Sequence, residues 1–217
     1  MLKKLDFDHK KVKYSLKQDG RFTIENYNFA KPFSSFFPGI AGLYGIPMWV
    51  FYVNRGQGIC SFGTNSKDQP ILEFQPANKS YHMVFQSGFR TFIKVKDKKD
   101  SIFYEPFQNS LNNLAFERSS RMEVSFSDLS VEEENRSLGL DIKIDYFTIP
   151  SDNFAGLVRT LTIKNSSQKT KVFELIDGLP AMIPYGLSNM FLKKLSRTIE
   201  AWMGVENLEN NAPFYRL

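Results

Sequence analysis

The stretch LDIKIDYFTI, residues 140–149, alternates apolar and polar side chains along its length. Leu140, Ile142, Ile144 and Tyr146 fall on one face of an extended chain, and charged residues lie between them. A period of two over this length predicts a half-buried β-strand.

The same pattern continues on both sides of this strand. RMEVSFS (121–127), GLVRTLTI (156–163) and KVFELI (171–176) are predicted strands, and PSDN (150–153) and NSSQ (165–168) are predicted turns. Short connections between successive strands predict an antiparallel meander. The acidic run EEEN (132–135) is predicted to form the tip of a hairpin.

The pattern of the first half of the chain also predicts strands. Glycine, proline and asparagine separate them about every ten residues, and this spacing is typical of a β-sandwich or barrel. The predicted strands are GRFTIEN (20–26), MWVFYV (48–53), QGICSFG (57–63), PILEFQP (70–76), KSYHMVF (79–85) and SGFRTFIKVK (87–96). We therefore expect a mainly β fold, a large antiparallel β-sandwich, in a single domain over residues 1–217.

One late segment has helical rather than strand periodicity. In SNMFLKKLSRTIEAWMG (188–204), Leu192, Leu195, Ile199 and Trp202 recur at helical spacing. Ser188 is a suitable N-cap, and Gly204 can end the helix. We expect an amphipathic C-terminal helix that packs on the sandwich or on another domain. The strand-like ending NLENNAPFYRL suggests a domain cut from a much larger enzyme.

Composition excludes several classes of protein. The 217 residues carry a net charge of +5, in basic clusters that acidic residues interrupt, so a continuous nucleic-acid-binding stripe is not expected. No apolar run approaches the roughly 18 residues of a membrane span, and the N-terminus lacks the apolar core of a secretory signal. The single cysteine, Cys60, is expected to be buried and fits a reducing, cytoplasmic compartment.

The sequence offers no convincing catalytic constellation. It contains two histidines, one of them His82 in a predicted strand, and no cluster with the spacing of a metal site. Glu25, Glu73, Asp152 and Asp177 lie near predicted turns or strand ends, where solvated or turn-capping carboxylates are the common case. We therefore expect no metal, no prosthetic group and no catalytic residue in this chain.

Several long stretches resemble the N-terminal region of bacterial cellobiose-phosphorylase-like proteins, a glycoside phosphorylase family of the glycosyltransferase-36 type. The stretches are FTIENYNFAKPFSSFFPGIAGLYGIPMWVFYVNRGQGICSFG (22–63), ILEFQPANKSYHMVFQSGFRTFIK (71–94), DYFTIPSDNFAGLVRTLTIKNSS (145–167) and ELIDGLPAMIPYGLSN (174–189). Residues 97–139 carry the resemblance least.

The resemblance implies a fold and a reaction. It implies a galactose-mutarotase-like supersandwich that a helical linker joins to an (α/α)6 catalytic barrel, missing here. The family reaction is inverting phosphorolysis of a β-glucoside, with inorganic phosphate as co-substrate and a general acid on the barrel. It also implies that the sandwich borders the active site and helps to form a homodimer.

The aromatic stretch GIPMWVFYVNRGQGICSFG (45–63) suggests contact with a β-gluco-oligosaccharide, because sugars stack on rings and need fixed polar partners. The candidate contacts are Trp49, Tyr52, Asn54, Arg55 and Gln57. The alternative is a core strand, with Trp49, Phe51 and Val53 in the sandwich core and Arg55 and Gln57 supporting a turn. Both faces of MWVFYVN are mostly apolar, which favours a strand covered on both sides.

Two other functions remain open at this point. A free-standing carbohydrate-binding module would bind gluco-oligosaccharides and needs no exposed apolar patch, whereas a domain of a larger enzyme should expose one, for example around Trp202. A structural dimerisation domain would use the predicted helix of residues 188–203.

Overall fold

A computed structural model describes residues 11–37, 41–43, 48–97, 100–110, 112–184, 186–195 and 197–216. The fold is mainly β. The strands are β1 (Lys13–Leu16), β2 (Phe22–Glu25), β3 (Ser34–Phe36), β4 (Met48–Val53), β5 (Ile59–Thr64), β6 (Pro70–Leu72), β7 (Arg90–Asp97), β8 (Asp100–Tyr104), β9 (Arg118–Val124), β10 (Asp128–Asn135), β11 (Leu140–Thr148), β12 (Leu157–Asn165), β13 (Val172–Gly178), β14 (Gly204–Glu206) and β15 (Phe214–Arg216). The α-helices are α1 (Ala77–Met83), α2 (Asn189–Leu195) and α3 (Arg197–Trp202).

The described strands form three antiparallel sheets and a short hairpin. A six-stranded sheet has the order β1-β2-β9-β10-β11-β12, a four-stranded sheet β3-β4-β5-β6, and a three-stranded sheet β13-β7-β8. Strands β14 and β15 pair only with each other. One core receives buried side chains from all three sheets, including Ile144 of the six-stranded, Tyr52 of the four-stranded and Ile93 of the three-stranded sheet.

The strand predicted from LDIKIDYFTI is confirmed. β11 spans Leu140–Thr148, and its burial alternates so that Leu140, Ile142, Ile144 and Tyr146 all face the core. Both of its neighbours pair with it antiparallel in unbroken register.

The prediction of a hairpin tip at EEEN is wrong. These residues complete β10, which pairs with β9 on one side and β11 on the other. Glu133 is buried in the core, whereas Glu134 is exposed. Three adjacent glutamates show no alternation of apolar and polar residues, so the segment resembled a solvent-exposed turn. Glu133 can nevertheless be buried because it forms an ion pair with Arg118.

The observed meander ends one strand earlier than predicted. β9 to β12 do pair in chain order, but β13 crosses to the three-stranded sheet and pairs with β7. The connection of residues 166–171 is short and polar, with Ser167 and Asn165 bonded to each other and to the Lys169 carbonyl. Such a turn is compatible with a hairpin or with an arch between two sheets, so its sequence could not decide between them.

The strand predicted for KSYHMVF is also wrong, because most of that segment belongs to α1. Ala77, Tyr81, Val84 and Phe85 pack together with Phe51 against the four-stranded sheet. Their spacing of four, three and one residues is that of a helix, and it was the signal that the prediction missed.

Strand β4 is covered on both sides, as its two apolar faces predicted. Val50 and Tyr52 enter the main core, while Phe51 and Val53 pack under α1. The alternative that placed Phe51 and Val53 in the main core is therefore corrected, because α1 forms a second small core with them.

The predicted C-terminal helix corresponds to α2 and α3, and the side chain of Ile199 lies outside the described residues. Leu195 and Trp202 are exposed and Leu192 is half-buried, so much of this apolar face is not covered by the described sheets. None of the helices in the described ranges has the length and apolar character needed to cross a membrane.

Candidate functional site

The loop between β4 and β5 contains three of the five predicted sugar contacts. Asn54 is buried and fastens the loop to the preceding segment. Its side-chain amide donates to the Lys31 carbonyl at 2.9 Å, and its side-chain oxygen accepts the Phe33 amide at 2.8 Å. Gly56 adopts a φ of +53°, and its amide donates to Asn28 Oδ1. The Asn54 side chain is therefore occupied in holding the loop.

Arg55 is half-buried and bonds to backbone carbonyls. Nη1 donates to the Asn54 carbonyl at 2.7 Å, and Nη2 donates to the Ala30 carbonyl at 2.8 Å. Its guanidinium lies 5.9 Å from the centre of the Tyr81 ring. Burial lowers the pKa of Arg55 from its ordinary value. The side chain still has donor N–H groups beyond those bonds.

Gln57 is buried in a polar cluster that links the three sheets, which we call the Arg159 cluster: Gln57, Thr91, Arg159 and Asp177. Gln57 Nε2 donates to Thr91 Oγ1 at 2.9 Å, and Gln57 Oε1 accepts from Arg159 Nη2 at 2.9 Å. Thr91 Oγ1 lies 2.6 Å from Asp177 Oδ1.

Arg159 and Asp177 neutralise each other inside that cluster. The Arg159 guanidinium also lies 5.1 Å from the centre of the Phe89 ring. Beside it, burial raises the pKa of Tyr146, an effect that Arg159 opposes. Because the charges are matched and the hydrogen-bonding groups are mostly used, the Arg159 cluster serves to join sheets.

The remaining two predicted contacts lie on β4. Tyr52 is buried in the main core, where burial raises its pKa. Trp49 is half-buried, donates from Nε1 to the Ser66 carbonyl at 2.9 Å and meets the Phe74 ring edge-on. Of the five candidates, only Trp49 and Arg55 thus retain surface for a ligand, and sugar contact stays a prediction for those two.

A groove beside α1 includes one of the predicted residues. The α1 groove, with a volume of ≈ 640 Å³, is lined by Pro32, Arg55, Asn78, Tyr81, His82 and Phe85. It combines two rings with an amide, an imidazole and a guanidinium, a set able to stack on a sugar and bond its hydroxyls. Sequence reasoning missed Tyr81 and His82 because it placed them on a strand, and it placed Asn78 between two predicted strands.

The four predicted carboxylates lie on separate elements. Glu25 ends β2 near Arg121, Glu73 follows β6, Asp152 lies in the turn after β11, and Asp177 belongs to β13. Asp177 differs from the expected solvated or turn-capping carboxylate in that it forms an ion pair with Arg159, although its residue remains exposed. Among the residues that the structure describes, no group of histidine, cysteine or acidic side chains is arranged to hold a metal ion.

A second buried charge cluster centres on Glu133. Its carboxylate accepts from the Tyr104 hydroxyl, from the Phe107 amide at 3.0 Å and from Arg118 Nη1 at 2.8 Å. Burial raises the pKa of Glu133, and Arg118 opposes that shift. Since donors surround this carboxylate on β10, we assign it a structural role in the core.

The outer face of the six-stranded sheet carries charges of both signs. Arg121 bonds Glu132, Lys143 lies 3.0 Å from Asp145, and Lys17 lies 2.5 Å from Glu123. Of these residues, Arg121, Glu132 and Lys143 line an open groove of ≈ 510 Å³. Matched pairs at a sheet surface are typical of a solvated face.

Comparison with protein-family models and with curated proteins adds no relative. No protein-family model matches the chain, and no curated protein matches it either.

Proposed function

We propose that the chain is the non-catalytic β-sandwich domain of an inverting glycoside phosphorylase that acts on β-glucosides in the cytoplasm. The resemblance of residues 22–63 and 71–94 to cellobiose-phosphorylase-like proteins supports the family. Antiparallel sheets that share one core support a supersandwich of the galactose-mutarotase-like kind.

One observation carries this proposal over a free-standing module. The elements after β13 expose a set of large apolar side chains, the C-terminal apolar surface: Met190, Phe191, Leu195, Trp202, Leu208 and Phe214. Trp202 alone is 65% exposed. Large exposed apolar side chains are concentrated in this part of the chain, and exposed apolar surface of this kind marks interfaces, which supports a domain that packs against a companion catalytic domain.

The companion domain would supply the chemistry. Inorganic phosphate attacks the anomeric carbon of a β-gluco-oligosaccharide, a protonated carboxyl donates its proton to the leaving oxygen, and a sugar 1-phosphate of inverted configuration results. The β-sandwich would position that domain and border its active site.

The test is to follow the open reading frame beyond the codon for Leu217 and to assay both products. We expect the frame to continue into a helical-repeat domain with an acidic catalytic residue. The long product should release glucose 1-phosphate from a β-gluco-oligosaccharide and phosphate, and the 217-residue chain should not. A stop at that codon, or phosphorolysis by the 217-residue chain alone, would contradict the proposal.

The α1 groove favours a second candidate, carbohydrate binding by the chain itself. Calorimetric titration with gluco-oligosaccharides should then give saturable heat that Tyr81→Ala removes. Phe126→Ala, which truncates an exposed ring in the turn between β9 and β10, is the matched control and should bind normally. No heat at millimolar sugar would exclude this candidate.

A further inference from the structure

Strand β13 has a neighbour on one side only. It pairs with β7 from Val172↔Lys96 to Gly178↔Arg90, and it is the last strand of its sheet. In the described part of the chain no strand pairs with its other edge. An edge strand presents a row of N–H and C=O groups that can form hydrogen bonds with an added strand.

The side chains of β13 are uncovered on both faces of the sheet. Val172 and Ile176 lie on the outer face, and Phe173 and Leu175 lie on the inner face, yet all four are exposed. Ile176 is 73% exposed. On β11, which has neighbours on both sides, the inner-face side chains are buried. An adjacent strand would therefore provide the cover that the inner-face side chains of β13 lack.

The free edge has few of the features that protect edge strands from pairing. Natural edges carry lysines, prolines, bulges or inward-pointing charges. Val172–Gly178 contains no lysine, proline or bulge, and its one inward-pointing charge, Asp177, is paired with Arg159. Its two charged residues already have partners: Glu174 lies 3.1 Å from Lys94 and 2.9 Å from Lys96, and Asp177 binds Arg159. β8, at the opposite edge of the sheet, buries Tyr104 and exposes one large apolar side chain, Phe103.

Among the described strands, β12 is likewise the last strand of its sheet. On β12, Leu157, Leu161 and Ile163 face the core but are only half-buried. Phe173 and Leu175 lie on the inner face of the strand that follows. An added strand beside β13 would therefore extend the core as well as the sheet.

We propose that the free edge of β13 binds an extended β-strand supplied by the companion domain. The strand that β13 already pairs with gives the required pattern: β7 places Ile93 and Val95 on the inner face and Lys94 and Lys96 beside Glu174. The added strand thus carries alternating apolar side chains. Only the source of this strand rests on the proposed function.

The probe is a fluorescein-labelled peptide of sequence RTFIKVK, which repeats residues 90–96. Fluorescence anisotropy with the 217-residue chain should give saturable binding. Hydrogen exchange should show new protection at β13 amides. A peptide with proline in place of its isoleucine and valine lacks two N–H donors and should not bind.

The matched variants change only apolar contact. Val172→Thr with Ile176→Thr keeps β-branching and should weaken binding at least tenfold. Phe103→Thr, on the same outer face but at the β8 edge, should leave binding unchanged. No saturable binding, equal binding by the double variant, or loss in Phe103→Thr would overturn the proposal.

Light scattering tests a second copy as occupant. A dimer that becomes monomeric in the Val172→Thr, Ile176→Thr variant would assign the edge to another copy of this chain and overturn the companion strand. If the peptide fails to bind while the reading frame encodes a helical domain, only this inference fails. If the peptide binds while no such domain is encoded, the edge site stands and the proposed function fails.

Discussion

Arg159 and Asp177 form a bidentate ion pair, in which Nη1 of Arg159 lies 2.5 Å from Oδ2 of Asp177 and Nη2 lies 2.8 Å from Oδ1. Arg159 belongs to β12 of the six-stranded sheet, and Asp177 belongs to β13 of the three-stranded sheet. The two strands follow each other in the chain but share no backbone ladder. The ion pair therefore joins the sheets at the place where a hairpin would have had backbone hydrogen bonds.

Asp177→Asn should destabilise the chain by about 2 kcal/mol, because the Arg159 charge then stays buried without a counter-charge. The Arg159 side chain is 8% exposed and that of Asp177 is 23% exposed, so solvent screens the pair only in part. Urea unfolding followed by circular dichroism measures the loss.

Asp145→Asn is the matched control for that change. Asp145 pairs with Lys143 at 3.0 Å, and both of these side chains are more exposed than those of Arg159 and Asp177. Pairs of this kind contribute less than about 1 kcal/mol. Equal losses in the two variants would show that the Arg159–Asp177 pair does not act as a buried link.

Glu133 should make stability depend on pH. Burial raises its pKa in the folded chain, so the native state binds this proton more tightly than the unfolded state does. Its contribution to the free energy of unfolding is thus fully present below the ordinary glutamate pKa of about 4.5 and is lost as pH rises through the folded-state pKa. The measurement is urea unfolding of wild type and Glu133→Gln across this range, and the stability advantage of wild type should shrink as pH rises.

Glu134→Gln tests the sign of that effect. Glu134 is the exposed neighbour on β10, and the hydrogen bond from Arg136 lowers its pKa. Its contribution is present above the ordinary pKa and is lost as pH falls, which is the opposite direction. A wild-type advantage over Glu133→Gln that grows with rising pH would contradict the assignment of a raised pKa to Glu133.

Much of the strand content could be predicted from the sequence, because burial on one face leaves a period of two. β4 and β11 were predicted at or close to their observed bounds. β10 was missed because Glu133 interrupts its apolar face, and burying a glutamate depends on Arg118 and Tyr104, which lie far away in sequence. The crossing of β13 was missed because sheet membership depends on long-range pairing with β7.

The candidate site was predicted less well. The pattern around Trp49 indicated apolar faces and a polar loop, and both are present. Whether Asn54 and Gln57 face solvent depends on residues such as Lys31 and Thr91 that only the fold brings near. Tyr81 belongs to a set of residues with helical spacing, Ala77, Tyr81, Val84 and Phe85, so its position on a helix could have been predicted from the sequence.

Cys60 should react slowly with thiol reagents in the folded chain. Burial raises its pKa to about 11, although Ser80 and Ser61 oppose the shift. At pH 8 its reaction with an aromatic disulfide reagent should be more than about a hundredfold slower than in denaturant, because only the thiolate reacts.

Lys67→Cys in a Cys60→Ala background is the control for accessibility. Lys67 is exposed in the turn after β5, so a thiol there should react at once in the native chain. Similar native rates for Cys60 and for the engineered thiol would contradict the buried position of Cys60 under α1.

Gly63→Ala should destabilise the chain by about 2 kcal/mol through overpacking. An added Cβ would lie 2.8 Å from Pro70 Cα and 2.8 Å from Trp49 Cζ2, and closer still to the Gln69 carbonyl oxygen. Backbone atoms on β6 cannot yield as a flexible side chain would, so β5 and β6 must separate. Urea unfolding measures the loss, and a shift in tryptophan fluorescence would report the displaced Trp49 ring.

Gly204→Ala is the control, since its nearest contact is the Arg216 carbonyl oxygen at 4.0 Å. Equal stabilities for the two variants would contradict the close approach of β5 and β6 at Gly63.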